Sequence, residues 1–106
     1  MKYILILADG PTGKSFVEWA SKTRVVENEY HVVCYKEGVL PEKMNQTISF
    51  YYADPTSYSK LLALMSKTRY SMVFIVMREK EDTLYSLKNI RKIDSKVRIV
   101  LVDRWD

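Results

Sequence analysis

The chain has 106 residues, of which 47% are apolar and 28% charged, with three glycines, three prolines and a single cysteine. That length belongs to one domain, and the apolar share excludes an intrinsically disordered chain. The 17 basic and 13 acidic side chains leave a formal net charge of +4, but acids stand between the bases along the whole sequence, so no nucleic-acid-binding stripe is read and nucleic acid is not an expected partner.

Residues 3–8 form the first of four runs rich in Ile, Val, Phe and Tyr; the others are 31–35, 72–77 and 97–102, and a more polar fifth spans 48–53. The first run is too short for a secretory signal and leads straight into a glycine loop, as a first strand does. After Gly13, the recurrence of Phe16, Trp19, Ala20 and Thr23 predicts a first helix. The second strand carries Cys34. With one cysteine no internal disulfide can form, the thiol is expected to be buried, and a reducing, cytoplasmic compartment fits. Gly38, Pro41 and Asn45 punctuate 38–47, which reads as a short crossover with one helical turn near 41–44. After Pro55, the residues Tyr58, Leu61, Leu62 and Met65 predict a second helix with Thr56 or Asp54 as its N-cap. Leu84, Leu87, Ile90 and Ile93 predict a third, starting at Asp82 or Thr83.

The runs at 3–8, 72–77 and 97–102 are continuously apolar rather than alternating, as strands covered on both faces must be. Joined by right-handed crossovers, this order of elements gives a Rossmann-like, doubly wound α/β fold: about five parallel strands in the order 3-2-1-4-5 with helices on both faces. No stretch approaches the roughly 18 apolar residues that span a bilayer. Because a complete fold of this type continues past a fifth strand, residues 1–106 are expected to be a single domain, the N-terminal part of a longer protein.

The loop Ala8-Asp9-Gly10-Pro11-Thr12-Gly13-Lys14-Ser15 satisfies two motif grammars. As a dinucleotide fingerprint, Ala8 stands for the first glycine of G-x-G-x-x-G, Gly10 lets the backbone approach a pyrophosphate, and Gly13 allows close packing of strand and helix. As a triphosphate-binding loop, it reads A-x-x-x-x-G-K-S, with Lys14 for the terminal phosphates, Ser15 for magnesium, and the strand ending at Asp103 as a metal-holding partner. Against that second grammar stand the short chain, the lack of a water-positioning residue, and Pro11, which lacks an N–H where phosphate would be cradled. A tight turn without ligand is the third reading.

Dinucleotide sites place an acid at the end of the second strand for the ribose hydroxyls. Here Lys36 stands in that place and Glu37 one residue later. Either Glu37 serves, or Lys36 turns recognition towards a 2′-phosphate, as in NADP. Asp9 would repel a pyrophosphate unless its carboxylate points away.

The run from Ile4 to Ser15, the third-strand ending Tyr52-Ala53-Asp54-Pro55-Thr56, and the stretch from Asn89-Ile90-Arg91 to Val97-Arg98-Ile99-Val100 together resemble a TrkA N-terminal domain, also called an RCK domain, a regulator of potassium conductance. The resemblance covers essentially the whole chain. It implies a nucleotide-binding module that takes NAD(H), ATP, AMP or a related nucleotide and passes its occupancy to a membrane potassium channel or transporter. By the resemblance, Gly10 and Gly13 contact phosphates and Asp54 lies near the adenine. It further implies a homodimer, with the third helix, the last strand and Trp105 at the contact, and a cytoplasmic place peripheral to the inner face of the cell membrane.

Other chemistry is not indicated. His31 and Cys34 lie three apart on one strand and so point to opposite faces, which rules out a Cys/His pair, and His31 is read as a strand-edge residue without a metal role. Glu79, Glu81 and Asp82 read as a charged loop with solvating and capping roles. Tyr51, Tyr52, Tyr58, Tyr70 and Tyr85 read as core and interface. With no general base in a substrate domain, the chain is expected not to be an enzyme and to hold no metal.

Overall fold

In the computed structural model, which describes residues 2–9, 15, 28–34 and 48–102, the apolar runs become the strands of one sheet. They are β1 (Lys2–Ala8), β2 (Asn28–Cys34), β3 (Ile48–Tyr52), β4 (Met72–Val76) and β5 (Arg98–Leu101), with two helices, α1 (Tyr58–Lys67) and α2 (Lys80–Ile93). All neighbours pair in parallel in the order β3-β2-β1-β4-β5, the doubly wound arrangement that the alternation of elements requires. Of the predicted first helix only Ser15 is described, with helical backbone; the crossover at 38–47 lies outside the described residues.

Burial follows position in the sheet. In the central strand β1, Leu5, Ile6, Leu7 and Ala8 are wholly buried, whereas Tyr51 and Tyr52 on the edge strand β3 are exposed. Alternate residues build two apolar layers. Ile4, Ile6, Ala8, Val32, Cys34 and Val76 lie in one. Leu5, Leu7, Val33, Val73 and Ile75 lie in the other, together with Leu61 of α1 and Ile90 of α2. Each fully buried Leu or Ile contributes about 1.5–3 kcal/mol relative to an exposed one, so β1 is the strongest single element of the core.

Several expectations need correction. β2 begins at Asn28, three residues before its apolar run, because backbone pairing of Lys2 with Asn28 and Tyr3 with Glu29 extends the ladder without regard to side-chain polarity. In α1, Leu61 is the buried residue while Tyr58 and Leu62 are exposed. The N-cap is Ser57, whose Oγ accepts the Lys60 N–H at 3.4 Å, because Asp54 and Thr56 are consumed in a turn of their own. Helix α2 starts at Lys80 after Glu79, earlier than Asp82 or Thr83, with Glu81 and Asp82 in the first turn complementing the helix dipole. Its inward side is Thr83, Ser86, Asn89 and Ile90, and Leu84 faces outward.

His31 is not a strand-edge residue. It is buried in β2, with its ring 5.6 Å from that of Tyr3 and 5.4 Å from those of Tyr51 and Tyr70. Its Nδ1 lies 2.7 Å from the Tyr70 hydroxyl, and burial pushes the Tyr70 phenol far above its ordinary range. Cys34 occupies the opposite layer, as the spacing demands. Among the described residues, no helix is long and apolar enough to cross a membrane.

Candidate functional site

In a parallel sheet every strand delivers its carboxyl end to the same edge, and ligands bind where neighbouring strands lead off in opposite directions. Here that point is β1, flanked by β2 and β4: Ala8 is in register with Cys34 on one side and with Val76 on the other. The Asp9 N–H donates to the Val76 carbonyl at 3.1 Å, so the entrance to the glycine loop is tied to β4. Ala8 is fully buried and Asp9 partly so.

Two strand spacings away, about 10 Å, the chain leaves β3. The Ala53 N–H donates to the Cys34 carbonyl at 3.2 Å, which carries the β2–β3 pairing one residue further. Asp54 then folds a tight turn. Its Oδ1 accepts the Thr56 N–H at 2.9 Å and the Thr56 hydroxyl at 2.7 Å, and its carbonyl accepts the Ser57 N–H at 3.0 Å. This turn aims the start of α1 at the same edge.

Two buried side chains from α2 lock that turn from below. The Ser86 hydroxyl donates to the Pro55 carbonyl at 3.1 Å, and the Asn89 amide donates to the Thr56 carbonyl at 2.8 Å. Both residues are nearly inaccessible to solvent. They satisfy the carbonyl of buried Pro55, which would cost about 1–3 kcal/mol if left unpaired, and that of half-buried Thr56. The sequence reading gave neither a site role, and named Asn89 only within the stretch that carries the resemblance; the signal available was a polar residue recurring every third position from Thr83, on the side of α2 where a core stripe belongs.

Arg78, just beyond β4 at the same edge, is a further residue the sequence reading passed over. It pairs with Glu79 at 3.7 Å, and both side chains are largely exposed, so the pair contributes little. Its guanidinium stands in solvent, two residues beyond the end of β4.

The structure thus brings Ala8, Asp9 and Asp54 to one edge. Gly10, Pro11, Thr12, Gly13, Lys36 and Glu37 lie outside the described residues. Among the described residues no group of three His, Cys, Asp or Glu side chains is gathered as a metal site requires.

The sequence matches no family model and no curated protein. Its fold matches solved structures. One is the C-terminal domain of Kef from Shewanella denitrificans in its AMP-bound form, at TM-score 0.69 and 14% identity, covering 94% of this chain and 58% of that one. Another is the oxidoreductase ylbE from Lactococcus lactis, at TM-score 0.67 and 17% identity, covering 93% of this chain and 47% of that one. A third is a short-chain dehydrogenase family protein from Francisella tularensis, at TM-score 0.63 and 11% identity, covering 95% and 50%. The chain therefore spans about half the length of the structures it resembles.

These neighbours overturn the expectation that the chain is not an enzyme. The same backbone serves an oxidoreductase and a dehydrogenase, so the lack of a catalytic constellation within 106 residues does not separate a regulatory module from part of a redox enzyme. What sequence alternation, strand order and neighbours agree on is the architecture: a Rossmann-like α/β fold.

Proposed function

We propose that this chain binds an adenine nucleotide across the carboxyl edge of its sheet and serves as the NAD(H)-type sensing domain of a potassium channel or uptake system, in the manner of TrkA N-terminal domains. The observation that carries the reading is the preorganised Asp54 turn, held by Ser86 and Asn89 on the edge where β1 feeds the glycine loop. In this reading, backbone N–H groups around Gly10 and Gly13 take the phosphates, and the Arg78 guanidinium supplies a positive charge beside them. The outward carboxylate oxygen of Asp54 accepts from the adenine amino group. Glu37 takes the ribose hydroxyls, or Lys36 a 2′-phosphate. The AMP held by the Kef domain supports an adenine nucleotide as the ligand class. Occupancy would pass through a homodimer to a membrane partner, with the domain on the cytoplasmic side.

A second reading, the nucleotide half of an oxidoreductase, is favoured by the names of two of the neighbours. Turnover of reduced nicotinamide, followed by its absorbance, would select it.

Thermal unfolding in the presence of AMP, ATP, NAD(H) and NADP(H) tests the site. A nucleotide at 100 times its dissociation constant adds about 2.7 kcal/mol and raises the melting temperature. Gly13→Val should remove that shift, because a side chain there separates helix from strand. If none of these nucleotides moves the wild-type melting temperature, the nucleotide reading fails; if Gly13→Val leaves the shift unchanged, the site assignment fails.

A further inference from the structure

Bases that the sequence interleaves with acids meet, among the described residues, at one end of the sheet. The parallel sheet that gathers strand ends at one edge gathers strand starts at the other. There Lys2 of β1, Arg69 before β4, and Lys96 and Arg98 at β5 surround a cleft of about 900 Å³, with Asn28 and Ser71 among its polar walls. All four cations are exposed, and among the described residues none of them forms an ion pair.

The only acid lining the cleft among the described residues, Asp94, is committed to a turn: its Oδ1 accepts the Lys96 N–H at 2.9 Å and the Val97 N–H at 3.0 Å. The bland explanation, that bases collect here to offset the helix C-termini, is met by other residues. Lys67 closes α1, while Arg91 and Lys92 close α2, and Arg91 donates to the Val97 carbonyl at 2.6 Å. Lys2, Arg69, Lys96 and Arg98 are surplus to that task. A concave surface lined by one sign of charge focuses potential and concentrates counter-ions.

We infer that this cleft is a binding site for a small polyanion carrying two or more phosphate groups, separate from the nucleotide edge. Its concavity and volume fall in the range of small-molecule sites, about 300–1,000 Å³, which favours a compact ligand over a flat lipid surface or a duplex. Two arginines supply planar, bidentate donors suited to phosphate oxygens, and two lysines supply mobile point charges. Since β1 runs from this edge to the glycine loop over seven residues, the two edges are about 20 Å apart, too far for one nucleotide's phosphates to reach both.

Inorganic triphosphate is the probe, because it carries the phosphate chemistry without a base or ribose. In calorimetric titration at fixed ionic strength, the wild-type chain should bind it, and Arg69→Gln with Arg98→Gln should weaken binding by about tenfold or more, as loss of two charge-assisted pairs requires. With the glycine-loop edge filled by saturating AMP, the wild-type chain should still bind it, which separates this site from the glycine loop and from the nucleotide reading. Amide resonances of Ser71, Lys96 and Arg98 in the wild type should shift on titration while that of Asp9 stays in place, a readout that does not depend on any variant folding. Three results would overturn the inference: an effect reproduced by an equal ionic strength of chloride, a response abolished by saturating AMP but kept in the arginine variant, or binding to phosphatidylglycerol vesicles without binding of triphosphate, which would make the cleft a lipid-headgroup surface.

Discussion

Asp54 is exposed yet fixed, and the fixing comes from neutral side chains beneath it. The Asn89 amide reaches the half-buried Thr56 carbonyl from a position only 5% exposed. Asn89→Ala should therefore lower unfolding free energy by about 0.5–1.5 kcal/mol, the net worth of a hydrogen bond, and should also weaken any nucleotide-induced stabilisation because the Asp54 turn loses one of its two supports. Urea denaturation with and without nucleotide measures both; an unaltered midpoint would show that the amide contributes nothing. At this scale the sequence was half legible. Asp54-Pro55-Thr56 announces a turn by its own chemistry, since a short acid can bond the backbone two residues on. Ser86 and Asn89 announce nothing, because a polar residue on a helix reads as a solvated one until the partner that buries it is known.

The same limit governs whole helices. The four apolar residues that predicted α1, Tyr58, Leu61, Leu62 and Met65, lie within about two turns, and periodicity alone does not say which of them meets the sheet. Leu61 does: it is wholly buried, whereas Leu62 is 40% exposed. Leu61→Ala should cost about 2–5 kcal/mol through lost transfer energy and the cavity left behind. Leu62→Ala, one residue on, should cost no more than about 0.5 kcal/mol. Thermal unfolding of the two variants compares them directly, and equal losses would mean that α1 is rotated from the orientation described. Strands were far more legible than helices because a strand buried on both faces needs no choice of face: its run of Ile, Leu and Val is the signal itself. That is why the runs at 3–8, 72–77 and 97–102 marked β1, β4 and β5, while the polar start of β2 at Asn28-Glu29 escaped notice.

For the molecule as a whole, the two sheet edges set the question of assembly. Among the described residues β3 and β5 each pair on one side only, and β5 is a strand of four residues. Beside β5 in the same apolar layer sit Ile90 and Ile93 of α2, and the outward residues of this region, Leu84, Tyr85 and Leu101, are exposed at 41%, 62% and 38%. Apolar groups clustered at an uncovered edge are usually covered by another surface. We propose that the cover is a second copy of this chain, related by a two-fold axis so that α2 and β5 of each protomer meet their counterparts. Such an interface needs about 800 Å² from each partner. It would also give nucleotide occupancy a route outward, since Ser86 and Asn89 on the inner side of α2 hold the Asp54 turn while Leu84 and Tyr85 on its outer side would face the partner; a shift of the turn is then a shift of the contact. A two-fold axis doubles the effect of any charge placed near it. Tyr85→Glu should therefore convert a species of twice the 12.5 kDa chain mass into one of single mass in sedimentation, with no loss of fold, because Tyr85 takes no part in the core. A wild-type chain that stays monomeric at every concentration would dispose of the dimer. A Tyr85→Glu chain that stays dimeric would move the contact to the β3 edge, where Tyr51 and Tyr52 are exposed instead.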